Sequence, residues 1–209
     1  RVKVGDRNTV VPWHSVESGE GLRGRREINC RNMRFMGSAS LYPHVQGMFS
    51  EFFVLGERQC YPVAGDVTLG ELAFAEPLAV ALHAVHRGTD LIGKSVLITG
   101  AGTIGCLTVL AARLAGAKSV TVSDILDRPL AQAREVGADR TLRADRDADA
   151  LATPQFDVCF EVSGSFAALK SCVAAAKRGG TIVQVGTLPH EPLPFVVNEL
   201  MAKELDLKG

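Results

Sequence analysis

One short stretch constrains the fold of this chain more than any other. An apolar run, Ser95–Thr99, leads into a turn at residues 100–105 with the spacing Gly-x-Gly-x-x-Gly, and a helical pattern follows. In such a unit Gly100 permits the tight turn, Gly102 lets the backbone approach a ligand, and Gly105 lets the helix pack on its strand. The helix N-terminus then presents unpaired N–H groups, which favours an anion such as a pyrophosphate.

A second apolar run, Ser119–Ser123, ends at Asp124, 19 residues after the last glycine of the turn. A carboxylate at this place can accept hydrogen bonds from the ribose hydroxyls of an adenosine group. With Thr103 and Ile104 of the turn, these residues predict a dinucleotide-binding site. Two alternatives stay open: a similar turn that binds S-adenosylmethionine, and a structural turn without a ligand.

Asp124 also bears on which dinucleotide is bound. Its carboxylate accepts a hydrogen bond from a free 2′-hydroxyl and repels a 2′-phosphate, which favours NAD over NADP. Arg128 follows four residues later and can offset this preference, because a cation attracts the 2′-phosphate. We expect NAD, with NADP as the alternative.

Composition excludes several classes of protein. With 23 basic and 23 acidic residues the net charge is zero, which does not favour a nucleic-acid or anionic membrane partner. No apolar run reaches the roughly 18–20 residues of a membrane span, and no signal-peptide pattern is present. Five cysteines without framework spacing are typical of a reducing compartment. We therefore expect a cytoplasmic protein. Since the chain lacks an initial methionine and stops at a forming strand, we also expect flanking segments.

The chain has two regions of different character. Residues 1–70 are rich in glycine, proline and short β-like runs such as Met48–Leu55, which predicts an irregular, mostly β region. From residue 71 an apolar helix, Leu72–Val85, precedes a regular alternation of strands and helices. The predicted strands are Ser95–Thr99, Ser119–Ser123, Arg140–Arg143, Phe156–Val162, Thr181–Val185 and Leu205–Leu207. The later helices are predicted at Arg128–Val136, at Ser165–Lys177, ended by Gly179 and Gly180, and at Phe195–Lys203. This order predicts an α/β fold with a doubly wound, six-stranded parallel sheet.

Small residues follow two of the predicted strands. Ser163 and Gly164 come after the fourth strand, and Gly186 and Thr187 come after the fifth. The carboxyl ends of parallel strands face the ligand crevice in such sheets, so these residues are expected to flank the nicotinamide half of a dinucleotide. The alternative is that they only end their strands.

Besides the glycine turn, three segments are informative: Asn32–Ala39, Pro43–Phe49 and Phe74–Ala84. On these residues and the turn, the chain resembles the zinc-dependent medium-chain dehydrogenase/reductase family, in its polyol dehydrogenase branch. The resemblance implies a Rossmann domain over residues 71–209, preceded by part of a GroES-like catalytic domain over residues 1–70. It implies oxidation of a polyol or sugar acid, with L-idonate oxidised at C5, by hydride transfer to NAD(P) in a homodimer or homotetramer. A sorbitol-, xylitol- or threonine-type enzyme and a non-catalytic dinucleotide-binding protein remain alternatives.

The same resemblance implies a catalytic zinc ion in the complete protein. Glu76, in the segment Glu-Pro-Leu-Ala, matches a position where the family has either a zinc ligand or a hydrogen-bond partner of the zinc-bound water. A carboxylate in an apolar helix is costly unless it is paired or binds a metal, although a solvated acid at a helix N-terminus is the alternative. The other family ligands, a cysteine and a Gly-His-Glu motif, would precede Arg1.

A structural zinc ion is not expected. Cys30 matches the last of four cysteines that hold this ion in related proteins, but Val16, Gly19 and Leu22 stand where the other three would be. The stretch Val16–Glu27 is predicted to be a mobile loop.

Five further residues are weaker candidates. His44 and Gln46 either line a substrate cleft or lie on the surface. His83 and His86 have a spacing that can bind metal, but we expect them to pack or to face solvent. Cys106 follows the glycine turn, where a helix N-terminus can lower a thiol pKa, but we expect it mainly to be a small packing residue.

Overall fold

The computed structural model places short strands in the first part of the chain and a parallel sheet in the second. It describes residues 2–15, 33–38, 42–63, 65–192, 194–195 and 197–209. The chain divides into two units, residues 1–76 and residues 77–209. The predicted loop Val16–Glu27 and the expected absence of a structural zinc ion at Cys30 fall outside the described residues.

The described residues of the first unit form two small antiparallel sheets. Its strands are β1 (Asn8–Val10), β2 (Trp13–Ser15), β3 (Met33–Phe35) and β4 (Cys60–Pro62). Strand β1 pairs with β4, and β2 pairs with β3. A 3-10 turn at Glu57–Gln59 precedes β4, and the short helix α1 (Leu69–Leu72) follows β4. This arrangement agrees with the mostly β character expected of the region.

The second unit is built on a six-stranded parallel sheet. Its strands are β5 (Ser95–Thr99), β6 (Ser119–Asp124), β7 (Arg140–Arg143), β8 (Phe156–Glu161), β9 (Ala176–Gln184) and β10 (Asp206–Lys208). Their order is β10-β9-β8-β5-β6-β7, and all neighbours are parallel. The direction of winding reverses beside β5, which creates a crevice at the carboxyl ends of β5 and β8. The prediction of a doubly wound sheet is confirmed.

Helices cover both faces of this sheet. They are α2 (Ala75–Gly88), α3 (Thr103–Leu114), α4 (Asp127–Glu135), α5 (Phe166–Ala175) and α6 (Val197–Lys203), with a 3-10 turn at Ala148–Leu151. Side chains alternate along a strand, so Val96 and Ile98 of β5 pack with α2, α3 and α4, while Leu97 packs on the other face with α5. In the described part of the chain, no helix is both long and apolar enough to cross a membrane.

The predicted helix Leu72–Val85 corresponds mainly to α2, with its start displaced by three residues, because Leu72 belongs to the short helix α1. Helix α1 ends at Leu72, and α2 begins at Ala75. A capping box of Thr68 and Glu71 fixes the start of α1. Pro77 lacks the N–H that would bond to the carbonyl of Ala73, so a continuous helix would lose this bond. Proline is tolerated in the first turn of α2, where that N–H has no intrahelical partner.

Two predictions were wrong. The run Met48–Leu55 forms no strand in the described structure; Phe49 and Val54 within it are fully exposed, so no face of the run packs as a strand face would. The helix predicted to reach Lys177 ends at Ala175, and β9 starts at once with Ala176. The register of β8 and β9 shifts between Phe156 and Val158, and the glycines predicted to end the helix form part of this bulge.

Candidate functional site

A cavity of about 710 Å³ lies at the carboxyl ends of β5, β6 and β8, within the second unit. Its wall is formed mainly by the glycine turn, the end of β6, the loop after β7 and the start of α5. The lining residues used below are Gly100, Gly102, Thr103, Ile104, Gly105, Asp124, Asp145 and Ser163. The apolar strands place these polar and small residues together because their carboxyl ends share one edge of the sheet.

The three glycines of the turn have three different surroundings. Gly100 has a φ of +92°, and a Cβ there would lie 2.9 Å from the backbone of Ser163. A Cβ on Gly105 would lie 1.9 Å from the carbonyl oxygen of Gly100. Gly102, by contrast, has open space around the position of a Cβ. Gly100 and Gly105 are therefore required by the fold, whereas Gly102 faces free volume in the cavity.

Helix α3 begins directly at this open space. Gly102 is its N-cap residue, and since glycine has no side chain, nothing from this residue caps the helix. The first N–H groups of a helix have no intrahelical acceptor. The residues Thr103 and Ile104 thus stand where those N–H groups meet the cavity, and an anion there is favoured by both hydrogen bonds and the helix dipole.

Asp124 is tied to the glycine turn. Its Oδ2 accepts the N–H of Ala101 at 2.7 Å, and its Oδ1 accepts the N–H of Leu126 at 2.9 Å. Each carboxylate oxygen has a second lone pair, so two acceptor positions remain for hydroxyl groups. These two backbone hydrogen bonds hold the carboxylate in one orientation at the cavity wall without the help of a ligand.

A second carboxylate, Asp145, also lines the cavity. Both oxygens of Asp145 accept from Arg143 at 2.9 Å, and Arg143 also contacts Asp127 at 2.7 Å. Hydrogen bonds from Arg143 lower the pKa of Asp127 and of Asp145, and both carboxylates raise the pKa of Arg143. The cation of Arg143 is therefore engaged, and the cavity wall carries two acids.

The structure brings seven of the predicted cofactor residues to the cavity and leaves three outside it. Ser163 lines the cavity, whereas Arg128 is exposed and does not. Gly164 and Gly186 lie behind Ser163, where the turns after β8 and β9 touch. A Cβ on Gly186 would lie 2.2 Å from the nitrogen of Gly164, so both turns require small residues there.

Glu76 lies in the first turn of α2 and is exposed. The expected cost of burying its carboxylate is therefore absent, and its place matches a solvated acid at a helix N-terminus. Among the residues with described positions, no three His, Cys, Asp or Glu side chains form a group that could hold a metal ion. The described residues thus do not by themselves form a site for a catalytic zinc ion.

The weaker candidates have ordinary surroundings. His83 and His86 are exposed on α2, as expected, and His44 and Gln46 are exposed in the first unit. Cys106 is half-buried and packs against the core of the second unit, which agrees with the packing role expected of it. Burial raises the pKa of the Cys106 thiol, and the charge of Asp124 raises it further.

Sequence reasoning missed two residues at this edge of the sheet, Glu161 and Asp145. Glu161 is a fully buried acid at the end of β8, two residues before Ser163. The available signal was an acid that closes an apolar strand and precedes Ser-Gly. Asp145 lies in an acidic loop whose position depends on the pairing of β7 with β6, which no local pattern reveals.

Comparison with known proteins gives a consistent result. The family model described as zinc-binding dehydrogenase matches residues 103–209. The chain is 39% identical over 186 residues to L-idonate 5-dehydrogenase (NAD(P)(+)) of Escherichia coli K12, covering 88% of this chain and 54% of that protein. It is 30% identical over 220 residues to sorbitol dehydrogenase of Macaca fascicularis, covering 100% of this chain and 59% of the relative.

Solved structures agree with these matches. The structure of the Escherichia coli L-idonate 5-dehydrogenase aligns with a TM-score of 0.91 at 36% identity, over 98% of this chain and 60% of that one. A zinc-binding dehydrogenase of Sinorhizobium meliloti bound to NADP aligns with a TM-score of 0.90 at 31% identity, over 100% of this chain and 62% of that one. The chain thus spans little more than half the length of these relatives.

Proposed function

Because the chain belongs to the zinc-binding dehydrogenase family, we propose that its second unit binds NAD(P). The complete protein would then oxidise a polyol or sugar acid by transferring a hydride to that cofactor. The observation that carries this proposal is the free volume at Gly102, in a cavity where the other two turn glycines are fixed by contacts of the fold. A pyrophosphate approaching the start of α3 needs this volume.

Different residues of the chain would bind different parts of the cofactor. The N–H groups at Thr103 and Ile104 would bind the pyrophosphate, and Asp124 would accept hydrogen bonds from the adenosine ribose. Ser163, Gly164 and the turn after β9 would flank the nicotinamide half. The nicotinamide supplies the hydride acceptor, and the protein holds and orients it.

The two acids at the cavity wall support a preference for NAD. A 2′-phosphate placed beside Asp124 and Asp145 would meet two negative charges, while the nearby guanidinium of Arg143 already binds carboxylates. Arg128 is exposed and does not line the cavity, so its side chain would have to move toward the cavity to pair with a 2′-phosphate. NADP remains the alternative, and a direct comparison of the two affinities decides between them.

For the substrate we propose L-idonate, oxidised at C5 to 5-dehydro-D-gluconate. Support comes from the 39% identity with a protein named for that reaction, against 30% with a sorbitol dehydrogenase. In the reaction, C5 loses a hydride to the nicotinamide and its hydroxyl loses a proton. Sorbitol-, xylitol- or threonine-type activity is the second candidate, and dinucleotide binding without catalysis is the third.

The proposal extends to the complete protein. A catalytic zinc ion would polarise the substrate hydroxyl, and Glu76 would serve as its ligand or as a hydrogen-bond partner of a metal-bound water, on the family resemblance alone. We also propose two domains, residues 1–70 and 71–209, a homodimer or homotetramer, and a cytoplasmic location. These follow from the resemblance and from the cysteine content.

The test is to incubate the full-length, zinc-loaded protein with a panel of polyols and sugar acids and with NAD or NADP. The rate of oxidation of each substrate is measured from the absorbance of the NADH or NADPH formed. Turnover of L-idonate ahead of sorbitol, xylitol and threonine supports the proposal. If another substrate is oxidised and L-idonate is not, that substrate replaces L-idonate in the proposal. Binding of NADH with no turnover of any of them supports the third candidate.

A further inference from the structure

A fully buried carboxylate lies beneath the proposed nicotinamide end of the cavity. Glu161 closes β8, and five groups donate hydrogen bonds to it. Its Oε1 accepts from the N–H of Ser163 at 2.9 Å, from the hydroxyl of Ser163 at 2.5 Å and from the hydroxyl of Thr99 at 3.3 Å. Its Oε2 accepts from the N–H of Gly164 at 3.2 Å and from the side-chain amide of Gln184 at 2.5 Å.

The backbone of the same residue holds a further turn. The carbonyl oxygen of Glu161 accepts the N–H groups of Val185 and Gly186 at 2.8 and 2.9 Å. The side-chain amide of Gln184 also donates to the carbonyl of Gly186 at 2.7 Å. Glu161 is thereby bonded to the ends of three neighbouring strands, β5 through Thr99, its own strand β8, and β9.

These bonds act on residues that reach the cavity. Ser163 donates two of these hydrogen bonds and lines the cavity. Its backbone lies so close to Gly100 that a Cβ on Gly100 would come within 2.9 Å of it. Glu161 itself is not part of the cavity wall. A shift of the turn after β8 would thus change the shape of the cavity.

The chemistry favours a carboxylate at this point over a neutral side chain. Burying a carboxylate is costly unless hydrogen bonds compensate it, and here every neighbouring polar group named above is a donor. Glutamine would offer one acceptor oxygen and would turn an NH₂ group toward N–H groups that also donate. Bonds to a carboxylate are also stronger than bonds between neutral groups.

We infer that Glu161 is a positioning residue, which holds the turns after β8 and β9 against the glycine turn and so shapes the nicotinamide half of the dinucleotide cavity. This inference rests on the proposed function, because it assumes that the cavity binds a dinucleotide. Adenosine binding beside Asp124 lies on the other side of β5 and does not depend on Glu161.

The experiment compares two ligands in the full-length protein. NADH needs both halves of the cavity, whereas AMP needs only the adenosine half. We expect Glu161→Gln to weaken NADH binding at least about tenfold and to leave AMP binding within about twofold of the wild type. Isothermal titration gives both dissociation constants, and circular dichroism establishes that the variant is folded.

Asp157→Asn is the matched control. Asp157 is a carboxylate of the same strand at its opposite end, bonded by Ser95 and Lys177. Its loss is expected to lower stability while both dissociation constants stay within about twofold of the wild type. If this variant weakens NADH binding as Glu161→Gln does, the effect is one of general stability and the inference is overturned.

A second variant covers the case in which Glu161→Gln does not fold. Gln184→Met removes a donor to Glu161 and to the carbonyl of Gly186, and Gln184 does not line the cavity. The same selective loss of NADH binding supports the inference. Wild-type affinity for NADH in a folded variant, or equal loss of AMP and NADH, overturns it. A wild-type protein that binds neither ligand overturns the proposed function, and the inference with it.

Discussion

The carboxylate of Asp124 accepts the backbone N–H of Ala101 at 2.7 Å, which joins the end of β6 to the glycine turn after β5. The acid and the turn are 23 residues apart in the chain and form one wall of the cavity. Any ligand that bonds to this carboxylate is therefore placed at a fixed distance from the start of α3. This relationship leads directly to a prediction about cofactor choice.

Asp124→Asn is expected to shift the choice of cofactor. The amide keeps one acceptor oxygen but removes the charge that repels a 2′-phosphate. We expect the ratio of the NADPH and NADH dissociation constants to fall about tenfold, a change of about 1.4 kcal/mol. Fluorescence titration with each nucleotide measures it. An unchanged ratio would mean that Asp124 does not lie beside the 2′ position.

Asp145 provides the comparison for that prediction. Asp145→Asn removes a second cavity charge and frees part of the Arg143 guanidinium, so it is expected to shift the same ratio in the same direction. Asp139→Asn is the control, because Asp139 is an acid of the same unit that pairs with Arg113 and does not line the cavity. A shift of similar size in the control would show that net charge alone sets the ratio.

The pair Asp157 and Lys177 predicts a pH dependence of stability. Burial alone would raise the pKa of Asp157, but hydrogen bonds from Ser95 and Lys177 outweigh it and set the pKa at about 2. Since the folded pKa lies below the usual value of about 3.9, the contribution, about 2 kcal/mol, is present above pH 4 and is lost as pH falls toward 2.

Urea unfolding of the wild type and of Asp157→Asn measures this contribution. The difference in the free energy of unfolding is expected to be constant from pH 7 down to about 5 and to shrink between about pH 4 and 2. A difference that is the same at pH 7 and pH 2.5 would contradict the assignment, because the carboxylate would then contribute nothing through its charge.

Cys106 is predicted to be a slow thiol. Burial and the charge of Asp124 both raise its pKa, so little thiolate is present at neutral pH. We expect Cys106 to react with iodoacetamide more slowly at pH 7 than a free cysteine, and Asp124→Asn to raise its rate by removing one of the two causes. Peptide mass spectrometry after timed alkylation gives the rate. Fast labelling of Cys106 in the wild type would contradict the placement of this thiol.

Local chemistry explains how much of the fold the sequence could predict. The strand β5, the turn and α3 follow each other within 20 residues, and each step has a local signal: an apolar run, three spaced glycines and helical periodicity. The same is true of β6 and Asp124. The candidate cofactor residues at the turn could be named from sequence because a Cβ would clash at Gly100 and Gly105, while the missing side chain of Gly102 leaves free volume.

Long-range contacts explain what could not be predicted. The start of β9 at Ala176 depends on its pairing with Phe156 and on the contact between Lys177 and Asp157, both about 20 residues away. The five donors to Glu161 come from β5, from the turn after β8 and from β9, so no window of sequence contains them. The exposure of Glu76 likewise could not be inferred from the apolar residues around it.

The most direct test of the account compares NADH binding by the wild type and by Gly102→Ala in the full-length protein. A Cβ at this glycine meets no atom of the protein within 4 Å, and its φ of −69° suits alanine. We therefore expect the ligand-free variant to keep the thermal stability of the wild type and to lose at least about tenfold in NADH affinity. Equal NADH affinity in the two proteins, or no binding by the wild type, would contradict the claim that this cavity holds a dinucleotide.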